Sequence, residues 1–381
     1  MADPVNASIV EHVRPLEDPR MERTTQPLWR DMLGMALGPL LTGGEGCQDM
    51  ALLGQSKRAW LQAFLAFPHG LPSHATLGRV LARLHPQRFP AGCLSWTQAG
   101  AQRTQGARLS LDGTTGQASF DRATAASPLP RLSAWCSDNG GLVLGHTKTE
   151  RQSHESTAMP ALWPWLAMQG GSVTMDAMGC QTAIARQLRD EGGDSLLTLK
   201  GQHNKADTAV KQPLHPPSEP PLDWRTAEHC FDAFEDSHGR PVRRRVWTIT
   251  DLTALPALAQ WPGRPSVIAV ATMRMAHQHA PVTRDSRFSI ATLVRCAAAF
   301  VARMRQHGDM EHTRHGSFAG TVNADRCRIR QDHAAENMVA VRHMALNLLR
   351  QEHAHRMSLR QKRLLCGLDE HDLLTGLSRA T

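Results

Sequence analysis

The sequence predicts an α/β fold: a mixed sheet with flanking helices, a helical region ahead of it and a β-rich insertion late in the chain. Three observations carry that reading. Residues 27–105 place apolar side chains at three- and four-residue steps, the period of an amphipathic helix. From about residue 107 the order becomes three strands, a helix, a strand, a helix and a strand, as a hairpin leading into parallel strands requires. A proline-rich break at 211–222 is then followed by alternating, strand-like sequence.

Each element has its own signal. WRDMLGMALGPLLTG and DMALLGQSKRAWLQAFLAF read as helices, separated by the glycine-rich GGEGC. Ser73 is placed to cap a short helix carrying Leu77, Val80, Leu81 and Leu84 on one side. ARLSLDG alternates, with Leu109 and Leu111 on one face and Arg108, Ser110 and Asp112 on the other. RLSAWCS and GLVLGHTK form a hairpin about Asn139-Gly140-Gly141. TAMPALWPWLAM predicts a helix interrupted by Pro164, and GSVTMDAMG predicts the fourth strand. CQTAIARQLRDEGG is a glycine-closed helix and DSLLTLKG the fifth strand. KQPLHPPSEPPL cannot be regular structure, so it is a linker or exposed loop. Beyond it, HCFDAFEDSHGRPVRRRVWTITDL and RPSVIAVATM are β-rich, 292–315 returns to helix period, and 333–350 is a second strong amphipathic helix.

Composition excludes several classes. Hydrophobic residues at 41% and charged residues at 20% leave enough apolar mass for a core and argue against a fibrous or disordered chain. No apolar run reaches the ~20 residues of a membrane span, and the N-terminus lacks the pattern of a secretion signal, so no membrane partner and a cytoplasmic location are expected. Eight scattered cysteines without a CxxC pair fit reduced thiols rather than a zinc module. The net charge of +8 is uneven: residues 241–381 hold 21 basic and 11 acidic residues, a balance of +10, which leaves −2 for residues 1–240. An arginine-dominated basic half suits a polyanion, since guanidinium grips phosphate as a fork. A basic surface with no such partner reads equally from charge alone. Tyrosine is absent, and nothing in the composition explains it.

Two acids end predicted strands on the polar face: Asp112, before Gly113, and Asp176 in VTMDAMG. Ligands of open α/β sheets gather outside the carboxyl ends of strands. Paired carboxylates there suit Mg²⁺, although either aspartate alone also reads as a turn residue. On the helix at 292–315, Leu293, Ala297, Phe300, Met304, His307 and Glu311 fall on one stripe, so Glu311 extends an apolar face towards the sheet unless it turns into solvent. Glu311-His312-x-x-His315 and the lone Cys180 are weaker signals, for a transition metal and a thiol nucleophile; solvated histidines and a buried structural cysteine account for them more simply.

SLDGTTG, LVLGHTKTERQSHESTAMP, VTMDAMGCQTAIARQLRDEGGDSLLTLKG and NADRCRIRQDHAAENMVAVRHMALNLLRQE together resemble the DDE transposases of H-repeat-associated (ISAs-type) insertion sequences, collinearly over roughly residues 15–375. The resemblance implies an RNase-H-like catalytic domain at 106–350 with a β-rich insertion at about 205–280, after a helical N-terminal domain at 15–105 and before a tail at 351–381. The family's first acid, in Leu-Asp-Gly-Lys, falls on Asp112, and its second, in Asp-Ala-Met-Gly, on Asp176. Its third, in His-Trp-Gly-Ile-Glu-Asn, falls on Glu311 by counting back from the Arg-Ile-Arg at 328–330. The implied chemistry is cleavage and strand transfer of double-stranded DNA, at transposon ends and target, with Asp112, Asp176 and Glu311 holding Mg²⁺ or Mn²⁺. The implied partner is DNA, bound by a homo-oligomer assembled on it, in a bacterial cytoplasm at the nucleoid. Lys200, Arg305, Arg328 and Arg330 are candidate phosphate contacts.

The surroundings of these motifs depart from the family. Thr114 replaces its lysine, Gln117 its arginine, Gly308 its tryptophan, His312 its asparagine and Ala319 an aspartate, while Ser195 and Phe288 stand where it often has tyrosine. An impaired copy that folds and binds DNA without turnover is therefore the alternative reading, and a nuclease without strand transfer a third.

Overall fold

The computed structural model describes residues 29–100, 107–115, 130–138, 141–148, 168–176, 180–199, 230–237, 240–253, 255–263, 265–274, 283–293, 295–314 and 331–378, with a few isolated residues between them. The helices are α1 Trp29–Thr42, α2 Cys47–Ser56, α3 Arg58–Leu61, α4 His74–Arg83, α5 Arg88–Gly100, α6 Thr182–Asp190, α7 Ala297–Arg314, α8 Ala334–Gln351, α9 Leu359–Leu368 and α10 Glu370–Ser378. The strands are β1 Arg108–Thr115, β2 Pro130–Cys136, β3 Leu142–Lys148, β4 Ser172–Met175, β5 Asp194–Leu199, β6 Cys230–Ser237, β7 Arg240–Ile249, β8 Ser266–Arg274 and β9 Thr283–Ala291. They fall into two compact units: unit 1 takes residues 1–104, 113–166 and 310–381, and unit 2 takes 105–112 and 167–309. This grouping differs from the division at 105 and 350 suggested by the sequence.

Unit 1 is built around α8. The sequence reads this helix as amphipathic, yet it is buried almost from end to end, Asn337, Arg342 and Asn347 included. Met338, Val341, Met344 and Leu348 pack with Leu40 and Leu41 of α1, Met50 of α2, Leu77 and Val80 of α4, and Phe89 and Trp96 of α5. Burying a polar side chain is costly unless it is bonded, and each of these three sets part of its polar group against backbone. Asn337 Nδ2 donates to Leu81 O and Leu84 O at the end of α4, and Arg342 Nη2 donates to Glu45 O. Asn347 brackets Val143 of β3, accepting from its N–H and donating to its C=O at 2.8 Å each. Val143 stands at the register break of the β2–β3 hairpin, where the ladder leaves backbone groups to be satisfied. As predicted, Ser73 caps α4 by accepting from Thr76 N–H, and Gly141, at φ +78°, supplies the left-handed residue of the β2–β3 turn.

The expected tail at 351–381 is instead two helices. Cys366 of α9 and Leu373 and Leu377 of α10 join the same core, and Arg363 of α9 donates to Leu40 O and Gly44 O at the end of α1. A second correction concerns TAMPALWPWLAM: its described residues make only three-residue turns, Leu162 N–H to Met159 O and Leu166 N–H to Trp163 O. Pro160 and Pro164 each remove a donor that an α-helix needs.

Unit 2 carries a sheet whose strands run β1-β4-β5-β9-β8-β7-β6. β1, β4 and β5 are parallel; β9 then adds antiparallel to β5, and β8, β7 and β6 follow antiparallel in turn. The β-rich segment beyond the proline-rich break is thus no separate subdomain but a continuation of the main sheet, and it runs to Ala291 rather than about 280. For the same reason the helix expected from 292 begins only at Ala297. Leu196, Val246, Ile268 and Ala291 of the sheet bury Ala297, Phe300 and Val301 of α7, with Met304 packed against them. The apolar stripe read from the sequence is therefore the packed face of α7. On α6, Ile184, Ala185 and Leu188 are buried, and Gly192, at φ +79°, ends the turn after it. The prolines at 211–222 lie outside the described residues. Among the described residues, no helix is long and apolar enough to cross a membrane.

Candidate active site

The register of β1 and β4 decides how the two aspartates are placed, and it corrects one expectation: Asp112 lies inside β1, which runs on to Thr115, while Asp176 follows the last residue of β4. Leu109 pairs with Val173, Ser110 with Thr174 and Leu111 with Met175, so Asp112 and Asp176 occupy the next matching positions on adjacent parallel strands. Neighbouring strands lie about 4.8 Å apart. Asp176 is exposed at the carboxyl end of β4, while the side chain of Asp112 lies outside the described residues.

One step below, Ser110 and Thr174 are buried, so the polar face expected from the alternation is covered rather than open to water. Thr174 Oγ1 donates to Leu109 O at 3.2 Å, which uses its single proton. It also hydrogen-bonds with Ser110 Oγ and with His307 Nδ1, each at 2.9 Å. His307 belongs to α7. Four residues earlier on the same helix, Arg303 Nη1 donates to Ser172 Oγ at 2.5 Å. Helix and strand are thereby registered: positions 303 and 307 of α7 meet positions 172 and 174 of β4. A helical step of four residues rises about 6.0 Å and two strand residues about 6.6 Å, so the two advance together. Glu311 is the next position of the series on α7; its side chain lies outside the described residues.

Of the other candidates, Lys200, Arg328, Arg330, Gln117, His315 and Ala319 lie outside the described residues, as do the side chains of Thr114 and His312. Arg305 is described; it forms an ion pair with Glu235 of β6 and stands 5.8 Å over the ring of Phe231. Cys180 is buried beside α6, consistent with a structural cysteine. Ser195 and Phe288 are both buried in the sheet. A Cβ built on Gly308 meets nothing within 4 Å, so no packing replaces the missing aromatic at the atoms nearest the backbone. Among the described residues no group of three His, Cys, Asp or Glu side chains could hold a metal. Sequence reasoning missed Arg303 and left Ser110 and Thr174 without a role. The spacing Arg303–His307–Glu311 was its available signal.

Residues 105–348 match the family described as Transposase DDE domain, and residues 10–97 match one described as DDE_Tnp_1-associated. The chain belongs to the DDE transposase family. It is 27% identical over 374 residues to the H repeat-associated putative transposase YhhI of Escherichia coli K12, covering 97% of each chain. It is 29% identical over 350 residues to the putative transposase YncI of Escherichia coli O157:H7, covering 90% of this chain and 87% of the relative. Among solved structures, a piggyBac transposase synaptic complex with hairpin DNA matches with a TM-score of 0.38 and 10% identity, over 94% of this chain and 80% of that one. That likeness is too distant to argue from.

Proposed function

We propose that this transposase cleaves and transfers DNA strands with a carboxylate triad of Asp112, Asp176 and Glu311 on an RNase-H-like core. The observation that carries the reading is the registration of α7 on β4. Arg303 reaches Ser172 and His307 reaches Thr174, and Glu311 is the next residue at that four-residue spacing on α7. The parallel trio β1, β4 and β5, with Asp112 in β1 level with Asp176 just past the carboxyl end of β4, supports the same site.

Three carboxylates without a thiolate or imidazole among them suit a hard cation, Mg²⁺ or Mn²⁺. Asp112, Asp176 and Glu311 would hold it. When bound, it supplies the charge that acidifies the attacking water or DNA 3′-hydroxyl and stabilises the leaving oxygen. The protein's own part is to fix the donors. On this reading the β1–β4 pair carries two of them, and the bonds of Arg303 and His307 hold the part of α7 that leads to the third. Double-stranded DNA is the substrate, and the family's habit of acting at transposon ends implies assembly as an oligomer on that DNA.

The test is Mg²⁺-dependent nicking of DNA carrying the element's own ends, comparing the native chain with Asp176→Asn. Loss of cleavage on the order of 10³-fold or more is expected, with the thermal transition unchanged because Asp176 is exposed. Undiminished cleavage by Asp176→Asn would remove the triad.

A further inference from the structure

The two faces of β7 treat their arginines differently. On one face Arg243 and Arg245 share Asp232 of β6, with Arg243 forming a two-pronged pair at 2.9 and 2.6 Å and Arg245 adding a third bond at 3.2 Å. On the other face Arg244 has a 3.3 Å contact to Glu235, the acid that also pairs with Arg305.

Sheet register shows what accompanies Arg244. Asp176 stands one step past the Met175–Leu197 pair, level with Thr198, which pairs with Ser289, which pairs with Ile268. Side chains two positions apart share a face. Two positions further out along that face, Arg287 pairs with Val270. Two more bring Thr272, which pairs with Arg244 on β7 and with Asp285 on β9. A final two bring Arg274. This is the face on which Val246, Ile268 and Val270 pack against α7. Arg287, Arg244 and Arg274 therefore stand about 7, 13 and 20 Å beyond the level of Asp176, at about 3.3 Å per residue.

Their charges reinforce one another. Arg274 and Arg287 are exposed, and Arg287, with 66% of its side chain accessible, pairs with Asp285 through Nε at 3.0 Å. Burial lowers the pKa of Arg244, and the neighbouring charges of Arg274 and Arg287 lower it further. With Arg305 the face carries four guanidiniums against two carboxylates, Glu235 and Asp285. Like charges gathered on one strand face are stabilised by an anion that lies across them. A nucleic-acid strand offers one phosphate per 3.4 Å of duplex axis, so about six nucleotides match the distance from the level of Asp176 to that of Arg274.

We propose that Arg287, Arg244 and Arg274 form a phosphate-binding row that leads a DNA strand across unit 2 to the level of Asp176. The proposal rests on the transposase reading and adds to it a surface of the strand extension. Backbone contacts of this kind position DNA without reading its sequence.

Binding of a 30-base-pair duplex of arbitrary sequence, followed by fluorescence anisotropy across a KCl series, tests the row. The triple variant Arg244→Ala, Arg274→Ala, Arg287→Ala should flatten the slope of log affinity against log salt by about 2–3, at about 0.9 for each phosphate that is no longer neutralised. A control triple at exposed arginines of unit 1, Arg79→Ala, Arg356→Ala and Arg360→Ala, should keep a slope closer to native. An unchanged slope in the row variant, or equal flattening in both triples, overturns the proposal. If the triple variant fails to fold, Arg287→Ala alone serves, with an expected change of about 0.9; no change overturns the row. Asp176→Asn, with the row intact, separates the two readings. It should bind with the native slope, so cleavage by that variant would sink the triad while leaving the row standing.

Discussion

Helices α7 and α8 are both eighteen residues long, both pack against strands, and both carry polar side chains inward, yet those side chains do different work. On α8, Asn337, Arg342 and Asn347 hold backbone groups: the end of α4, the loop after α1 and the bulged β3. On α7, Arg303 and His307 hold side chains of a single strand, the one that ends in Asp176. A bond to a backbone end secures the fold regardless of which strand residue supplies it. A bond to a chosen side chain sets register, and register is what a catalytic constellation needs. The same polar vocabulary therefore stabilises unit 1 and aims unit 2.

The comparison can be broken most forcefully at Asn347. Replacing it by alanine leaves the N–H and C=O of Val143 unpaired in a buried place, and a loss of about 2–4 kcal/mol is expected in chemical denaturation. If α8 is purely structural, DNA affinity of the folded fraction at a fixed salt concentration is unchanged; a selective loss of DNA binding would erase the distinction between the helices. His307 is the matching test on α7. His307→Ala should slow strand cleavage by about 100-fold, as a displacement of about 1 Å can, while leaving the salt dependence of DNA binding as it was. His307→Gln, which keeps a donor, should recover part of the rate. A global loss of stability comparable to that of Asn347→Ala would instead place His307 with the structural residues. The smallest effect sharpens the contrast: α8 has no glycine, whereas α7 has Gly308 between His307 and Glu311. Gly308→Ala meets open space and should raise the thermal stability by about 1 kcal/mol. Absence of any gain would show that the turn carrying Glu311 is not held as a helix in solution.

Much of this was readable in the chain. The stripe Ala297, Phe300, Met304 and His307 is the packed face of α7, and alternation placed Asp176 just past the end of β4, although β1 continues beyond Asp112 to Thr115. What escaped was every feature that depends on a partner distant in sequence. Asn337, Arg342 and Asn347 read as the polar side of an amphipathic helix because nothing local reveals that residues 81, 45 and 143 need their bonds. The segment after the proline-rich break looked like an insertion because its pairing with β5 is antiparallel and long-range. The arginines of β7 looked alike because adjacent residues of a strand differ only in which face they occupy, and the sheet alone gives those faces different neighbours.

The sequence by itself determined the periods: where most of the helices and strands lie, that Asp176 follows a strand, and that the basic charge gathers in the second part of the chain. Periodicity is a local property, written in the three- to four-residue and two-residue spacing of apolar side chains. Only the tertiary structure decided that Thr174 would be the meeting point of Ser110, Leu109 and His307, that β9 would extend the sheet beyond β5, and that Arg244 would stand with Arg274 and Arg287 while Arg243 and Arg245 were taken up by Asp232. Register fixes those pairings, and a shift of one residue would turn each side chain to the opposite face.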